Sequence, residues 1–315
     1  MTKPVCGVCS ADDMRLRYPR APDYITGDLF QVWCCGACGC GQTQPSPVNL
    51  DRYYPDRYRR YSAVIAAILR ILYRRRVGQW VKLFAIPGAA FELGCGDGLM
   101  LAMLRQRGWR VSGSERTESA AHIAREQYKL EVAAGGLETM DPARRFDLVL
   151  LNQVLEHLGD PAGTVAMLAG RLAPNGKLIV GVPNFASWQA RFGGATWFHL
   201  DAPRHLYHFS LPSLTTLMRD HGLEIESVSY VSPEHDPYGW AQSALNLVDR
   251  RHNRLTRLLM GIDPPDAMNL LHLGIGCVLG ALAVPVSMLS WIARRGALIE
   301  VVCRQRERSL TNVAS

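Results

Sequence analysis

The sequence predicts an open, doubly wound α/β sheet that follows a small cysteine-rich module. Apolar runs of strand type alternate with helical segments between residues 90 and 182, a glycine-rich loop follows the first run, and six of the nine cysteines lie within the first 47 residues. Strands separated by helices pair in parallel through right-handed crossovers, and this connection produces a doubly wound sheet.

The composition is that of a globular protein with one main domain and smaller attachments. The chain has 315 residues, of which 48% are hydrophobic and 20% charged, so wholesale disorder is excluded. The formal net charge of +7 is too small to indicate nucleic acid or anionic lipid by itself. Residues 1–11 contain no apolar signal segment, so we expect a reducing cytoplasm, in which cysteines serve as thiols or metal ligands.

Residues 1–47 are predicted to form a zinc-ribbon module. The predicted ligands form two Cys-x-x-Cys pairs, Cys6 with Cys9 and Cys35 with Cys38. Each pair can hold one side of a tetrahedral zinc ion, and four protein ligands leave no open position for water, so the ion is predicted to be structural. Cys34 and Cys40 are rival ligands for the second half. The other cysteines are interpreted as small buried residues: Cys95, Cys277 and Cys303.

The predicted elements follow from the spacing of apolar and turn residues. A helix is predicted within residues 51–84, with four arginines in water: Arg70, Arg74, Arg75 and Arg76. Further helices are predicted at 100–107, 118–128 and 162–172. Strands are predicted at 90–93, 110–114, near 131, and at 146–152, 177–182, 223–231 and 297–303, with Pro174-Asn175-Gly176 as the turn before the fifth strand.

The loop after the first strand carries the most specific functional signal, Glu92-Leu93-Gly94-Cys95-Gly96-Asp97-Gly98. Glycines there let the backbone turn tightly and approach a ligand. A dinucleotide fingerprint needs a further glycine where this chain has Leu99, and the two acidic residues would repel a pyrophosphate. S-adenosylmethionine carries an ammonium and a sulfonium instead of a phosphate, so the carboxylates favour it. Glu115 lies about twenty residues further on, where an acidic side chain can bridge both ribose hydroxyls.

The combined motifs resemble the class I S-adenosylmethionine-dependent methyltransferases of the UbiG-like and type 11/23 groups. The motifs are ELGCGDG, FDLVLLNQVLEHL, PNGKLIVGVPN and PRHLYHFS, together with Glu115. The resemblance implies a Rossmann-like seven-stranded sheet in the order 3-2-1-4-5-7-6 with the seventh strand antiparallel. It also implies O-methylation of a small or lipid-linked acceptor, such as a sugar, a glycolipid precursor or a quinol. The predicted cofactor contacts are Glu92, Gly94, Cys95, Gly96, Asp97, Glu115, Asn152 and Gln153.

Removal of a hydroxyl proton needs a base, and three histidines are the candidates: His157, His205 and His208. His157 follows the fourth strand, where its alternative role is to orient the turn. His205 and His208 lie in a polar, aromatic loop able to close over an acceptor. The quinone O-methyltransferases in this group are known for a Glu-x-x-Glu-His metal site. Here Gln153 replaces the first carboxylate, so Mg²⁺ is not expected.

Residues 237–293 form an apolar insert in the methyltransferase domain, which is predicted at 51–236 and 294–308. An amphipathic helix is predicted at 240–260, and residues 270–292 are nearly continuous apolar sequence. The helix places four arginines beside leucines: Arg250, Arg251, Arg254 and Arg257. Strands six and seven must pair in one sheet, so a single membrane crossing is excluded. The insert is predicted to dock on the inner face of the membrane, or else to form a soluble lid or dimer surface.

Three other function classes remain as alternatives. A nucleic-acid-binding or RNA-modifying protein would use the ribbon and the basic charge, but the basic residues are dispersed and no aromatic stripe accompanies them, so nucleic acid is not the expected partner. A dinucleotide oxidoreductase is disfavoured by the acidic loop. A scaffold that binds the cofactor without turnover has no distinguishing sequence feature.

Overall fold

The computed structural model describes residues 3–54 and 63–306. The strands in these ranges are β1 (Met14–Pro22), β2 (Leu29–Cys35), β3 (Gly41–Gln44), β4 (Ala89–Leu93), β5 (Arg110–Glu115), β6 (Glu131–Ala134), β7 (Phe146–Asn152), β8 (Leu172–Pro183), β9 (Tyr207–His208), β10 (Leu223–Ser229) and β11 (Leu298–Gln305). The α-helices are α1 (Ala63–Val81), α2 (Leu99–Arg105), α3 (Glu118–Tyr128), α4 (Pro161–Ala169), α5 (Trp188–Gly193), α6 (Leu211–Asp220), α7 (Asp236–Val248), α8 (Arg254–Leu259) and α9 (Ala267–Ile292).

The main sheet contains seven strands in the order β10-β11-β8-β7-β4-β5-β6. The five strands from β4 to β8 pair in parallel, and β11 pairs antiparallel with both β8 and β10. Numbered from β4, this is the predicted order 3-2-1-4-5-7-6 with an antiparallel seventh strand. The predicted fold class is therefore confirmed.

β7 is the central strand because both of its faces are apolar. Leu148, Val149, Leu150 and Leu151 are at most 1% exposed, as expected for a parallel strand covered by helices on both faces. The strand ends at Asn152, beside the end of β4. Ligands of such sheets bind at the carboxyl ends of the strands, so the site is expected at this edge.

One predicted turn in this region is wrong. β8 begins at Leu172, and its pairing with β7 continues at Lys177, so residues 173–176 form a bulge inside the strand. Asn175 has a left-handed backbone, with φ of 63°. The residues predicted to form the turn therefore form the bulge, and α4 ends at Ala169, earlier than predicted.

β1, β2, β3 and β9 form a second sheet. β9 lies far along the chain, and its residues Tyr207 and His208 pair with Gln42 and Gly41 of β3. The fourth strand of this small sheet therefore comes from the region predicted as the methyltransferase domain, and the rest of the sheet comes from the predicted zinc-ribbon module.

The insert contains a broken helix followed by a long one. The helix predicted at 240–260 is divided into α7 and α8, and Asn253 between them has a left-handed backbone, with φ of 55°. α9 packs on both of these helices. It is long and apolar enough to cross a membrane, with a mean hydropathy of 2.0. Cys277 lies on its exposed side, so the prediction that this cysteine is buried is wrong.

Candidate functional site

The glycine loop turns at the carboxyl end of β4. Gly94 and Gly96 have φ of 68° and 57°, in the left-handed region. A Cβ atom at Gly94 would lie 2.6 Å from Cγ2 of Val154, whereas a Cβ atom at Gly96 would meet nothing within 4 Å. The first glycine is therefore required by packing, and the second leaves an open backbone surface that a ligand can approach.

Glu92 and Glu115 flank this loop. Glu92 is 4% exposed, and burial, together with the charges of Asp97 and Glu115, raises its pKa from 4.5 to about 8. Its Oε2 atom has no hydrogen-bond partner in the described part of the chain. Glu115 accepts hydrogen bonds from the N–H groups of Gly96 and Thr117, both at 3.0 Å. A buried carboxylate beside open backbone fits a cationic ligand, because a positive charge stabilises the ionised form.

The other predicted contacts around the loop have different environments. Asp97 is exposed and accepts a hydrogen bond from the Leu99 N–H at the start of α2 (3.1 Å). Cys95 is 7% exposed, and burial raises the pKa of its thiol, so it remains protonated. Gln153 has a left-handed backbone, with φ of 58°, and a buried Nε2 atom without a partner among the described residues.

Asn152 accepts a hydrogen bond from an arginine that the sequence predicts to be exposed to solvent. Arg76 of α1 is 8% exposed, and its Nη1 atom donates to Oδ1 of Asn152 (3.2 Å). The same guanidinium pairs with Glu234 at 3.0 Å and Glu300 at 3.6 Å. The prediction for Arg76 is wrong because two carboxylates from distant parts of the chain compensate its buried charge, and no local pattern indicates them. The other three arginines are exposed, as predicted: Arg70, Arg74 and Arg75.

A second cluster, which follows β7, contains Glu156, His157 and His205. Glu156 is 1% exposed, and the ring centroids of the two histidines are 4.6 Å apart. Nε2 of His205 lies 4.0 Å from Oε1 of Glu156 and 3.9 Å from Oδ2 of Asp201. One ligand atom from each of Glu156, His157 and His205 lies within 4.8 Å of the others, so the cluster could also hold a metal ion.

Two backbone carbonyls fix the tautomers of both rings. Nδ1 of His157 donates to the carbonyl of Arg204, and Nδ1 of His205 donates to the carbonyl of His199, both at 2.9 Å. Because a carbonyl only accepts, Nε2 is the basic nitrogen of each neutral ring. Both histidines therefore have the nitrogen that proton abstraction requires.

His208 lies apart from this cluster. It is 3% exposed, its Nε2 atom lies 2.9 Å from Oγ1 of Thr43, and its ring centroid is 5.3 Å from that of Phe185. Burial lowers its pKa to about 3. Pairing of β9 with β3 thus places His208 in the small sheet, and its burial there argues against its predicted role as a base.

The four cysteines predicted as zinc ligands lie together. They are Cys6, Cys9, Cys35 and Cys38, and their sulfur atoms lie within 4.8 Å of one another. Two of the sulfur pairs are 3.7 Å and 3.6 Å apart. A tetrahedral zinc ion with Zn–S bonds of ~2.3 Å requires sulfur separations of about 3.8 Å, so the arrangement fits zinc. The rivals Cys34 and Cys40 are outside this group.

Comparison with known proteins identifies relatives of the main domain. A family model described as a methyltransferase domain matches residues 57–228, which is more than half of the chain. This match confirms the resemblance that the motifs carry. A ubiquinone biosynthesis O-methyltransferase of an Azoarcus species is 33% identical over 153 residues, covering 44% of this chain and 65% of that protein. One from Bradyrhizobium diazoefficiens is 30% identical over 104 residues, covering 31% of this chain and 41% of that protein.

The chain thus spans less than two thirds of the length of these two curated relatives. Among solved structures, a SAM-dependent methyltransferase from Archaeoglobus fulgidus aligns with a TM-score of 0.48 and 13% identity, over 75% of this chain and 94% of that chain.

We predict that Glu92 lowers the stability of the protein as the pH rises. The unfolded carboxyl group loses its proton near 4.5, and the folded one near 8. Between these values the folded state holds the extra proton, so the free energy of unfolding falls with rising pH, by several kcal/mol at most. Glu92→Gln should remove this contribution, as measured by urea unfolding at a series of pH values. Glu118→Gln, at an exposed position, is the control. Parallel profiles for Glu92→Gln and wild type would contradict the prediction.

Proposed function

The chain belongs to the methyltransferase-domain family, and on this premise we propose that it transfers a methyl group from S-adenosylmethionine to a hydroxyl oxygen of a small or lipid-linked acceptor. The observation that carries the proposal is the buried carboxylate of Glu92 at the start of the glycine loop, together with the open backbone of Gly96, whose N–H donates to Glu115. Because the curated relatives are named ubiquinone biosynthesis O-methyltransferases, a quinol is favoured over a sugar or a glycolipid precursor.

The residues around the glycine loop would bind and orient the cofactor, which supplies an electrophilic methyl group. Glu92 would pair with the ammonium group, and this charge would favour its ionised form. Glu115 would exchange hydrogen bonds with backbone N–H groups for bonds to the ribose hydroxyls. Asn152 and Gln153 lie at the end of β7, which pairs with β4. The buried Nε2 group of Gln153 is available there as a donor.

We assign proton removal to His205 or His157. Transfer of the hydroxyl proton to the imidazole would make the acceptor oxygen a better nucleophile for in-line displacement at the methyl group, with S-adenosylhomocysteine as the leaving group. Glu156 and Asp201 lie within 4.0 Å of Nε2 of His205, and their charges would stabilise the imidazolium that results. His208 is omitted because its Nε2 atom is already bonded to Thr43.

We also propose a structural zinc ion on the four clustered cysteines, because their sulfur separations match a tetrahedral site. The nucleic-acid alternative is not retained. The edge of β3 is paired with β9 inside the molecule, so this edge of the ribbon sheet is not available to a partner.

α9 supports the proposed contact with a membrane because its apolar side faces away from the protein, unlike that of an ordinary surface helix. The side that faces the protein is small or polar, with Asn269, Gly276, Ala283, Ser287 and Ser290 buried. The opposite side has large apolar residues at helical spacing that are 40–79% exposed: Leu271, Ile275, Val278, Leu282, Leu289 and Ile292. A continuous exposed apolar face of this kind needs a partner, and we propose that it lies on the inner leaflet, with the enzyme in the cytoplasm.

The charges near this face differ from the sequence prediction. Arg254 and Arg257 are not available to lipid headgroups, because they form ion pairs with Asp249 and Asp263. Arg294 and Arg295, directly after α9, are exposed. They are the residues that we propose for contact with anionic headgroups.

We expect S-adenosylhomocysteine to bind the wild-type protein with micromolar affinity, and Glu115→Ala to weaken binding by a factor of ten or more, about 1.4 kcal/mol. The variant loses the ribose contact. Calorimetric titration measures both affinities, and Glu118→Ala, at an exposed position at the start of α3, is the control. Absence of binding by folded wild-type protein would refute the proposed cofactor. Methyl transfer to a soluble short-chain quinol then tests the reaction itself.

The purified protein should contain one zinc ion per chain, as measured by elemental analysis. Cys9→Ser should release the ion and lower the Tm by roughly 5 °C or more, because the metal stabilises the small sheet. The matched control is Cys277→Ser, which alters an exposed cysteine outside the cluster. Equal zinc content in the two variants would rule out the proposed site.

Wild-type protein should sediment with vesicles of phosphatidylglycerol and phosphatidylcholine, and Leu282→Glu with Leu289→Glu should reduce the bound fraction at least about tenfold, because charges would replace apolar contacts on α9. The control is Ile123→Glu with Met167→Glu, at exposed apolar positions outside the insert. If both double variants retain wild-type sedimentation, α9 is not the contact. If the wild-type protein is a dimer and only the α9 variant is a monomer, the face is a subunit interface.

A further inference from the structure

The loop of residues 203–209 carries His205 and is held from two sides. The N–H of Leu206 donates to the carbonyl oxygen of Glu156 (2.8 Å). The N–H of Thr43 donates to the carbonyl oxygen of Leu206 (2.9 Å). Leu206 therefore connects the N-terminal module to the main chain of Glu156 in the histidine cluster.

The hydroxyl group of Thr43 makes two further bonds to the same loop. Oγ1 donates to the carbonyl oxygen of His205 at 2.7 Å and lies 2.9 Å from Nε2 of His208. Because its only proton is given to the carbonyl, Oγ1 accepts from His208, whose Nε2 atom carries the proton. Thr43 is 1% exposed, so water does not compete for these bonds.

The first cysteine pair also packs against the loop. A Cβ atom at Gly7, between Cys6 and Cys9, would lie 2.2 Å from the hydroxyl oxygen of Tyr207. Tyr207 in turn donates to the carbonyl of Gly159 (3.3 Å). By contrast, no hydrogen bond joins residues 3–48 to the glycine loop at 92–98 in the described part of the chain.

From these contacts we infer that Thr43 is a positioning residue for methyl transfer, through which the N-terminal module holds His205 at the acceptor site. The hydroxyl fixes the main chain of His205, and the carbonyl of His199 fixes its ring (2.9 Å). Together the two bonds determine where Nε2 lies relative to Glu156 and Asp201. The inference rests on the proposed function, because His205 is there the candidate base. The inference assigns the module to the part of the site that contains the histidine cluster, where the acceptor would bind, and not to the part around the glycine loop, where the cofactor would bind.

The test compares Thr43→Val, which keeps the shape and removes the hydroxyl, with Thr43→Ser, which keeps the hydroxyl. In Thr43→Val the amides of residues 203–209 should exchange with deuterium about tenfold faster or more, because a buried carbonyl loses its donor. The ring resonances of His205, observed by NMR at one pH, should shift because the ring moves with its main chain. Calorimetric affinity for S-adenosylhomocysteine should stay within twofold of wild type. Turnover of a soluble short-chain quinol should fall about tenfold, with an unchanged KM for S-adenosylmethionine. Thr43→Ser should restore each value.

The matched control is Ser46→Ala, which removes an exposed hydroxyl group just after β3 of the same module, and it should leave the loop amides unchanged. Unaltered exchange and ring resonances in Thr43→Val would overturn the inference, as would an equal effect of Ser46→Ala. If Thr43→Val does not fold, Thr43→Ala is measured in its place with the same expectations. Failure of the proposed function shows separately, because wild-type protein would then not bind S-adenosylhomocysteine, whereas the exchange and ring-resonance measurements need no cofactor.

Discussion

The buried ion pair between Arg204 and Asp23 is the interaction on which the arrangement of this protein depends. Both side chains are 0% exposed, and the guanidinium donates to Asp23 at 2.8 Å and to the carbonyl of Tyr53 at 2.6 Å. Asp201 supplies a second carboxylate at 2.7 Å. A buried charge that loses a partner destabilises a protein by about 3–5 kcal/mol. The module, the segment before α1 and the loop before β9 are therefore held in one arrangement.

The two halves of the candidate site are built in different ways. The cofactor half lies within one β-α-β unit, where Glu92, Gly96 and Glu115 are close in sequence and meet through the parallel pairing of β4 and β5. The acceptor half brings His157 and His205 together from separate segments, and the module supplies hydrogen bonds from residues more than a hundred positions away. A change in the module should therefore alter acceptor chemistry before it alters cofactor binding.

The insert is anchored by a second buried carboxylate. Asp236 is 0% exposed and accepts hydrogen bonds from Nε1 of Trp291 (2.5 Å) and from the N–H of Ala297 (2.7 Å). Burial raises its pKa to about 6. These bonds fix the end of α9 beside the start of β11, so the apolar face of α9 is presented by a rigid part of the domain. This placement lets the proposed membrane contact and the seven-stranded sheet exist in one folded unit.

The sequence by itself determined the order of the sheet, the position of the glycine loop and the four cysteines that we propose as zinc ligands. These features depend on local patterns, namely alternating strands and helices, a glycine loop with its carboxylates, and two Cys-x-x-Cys pairs. Only the tertiary structure decided that Arg76 is buried between Glu234 and Glu300, and that His208 belongs to the small sheet and not to the histidine cluster. It also decided that the apolar side of α9 faces outward. Burial and pairing of this kind depend on which distant segments contact each other, and the local spacing of residues does not show this.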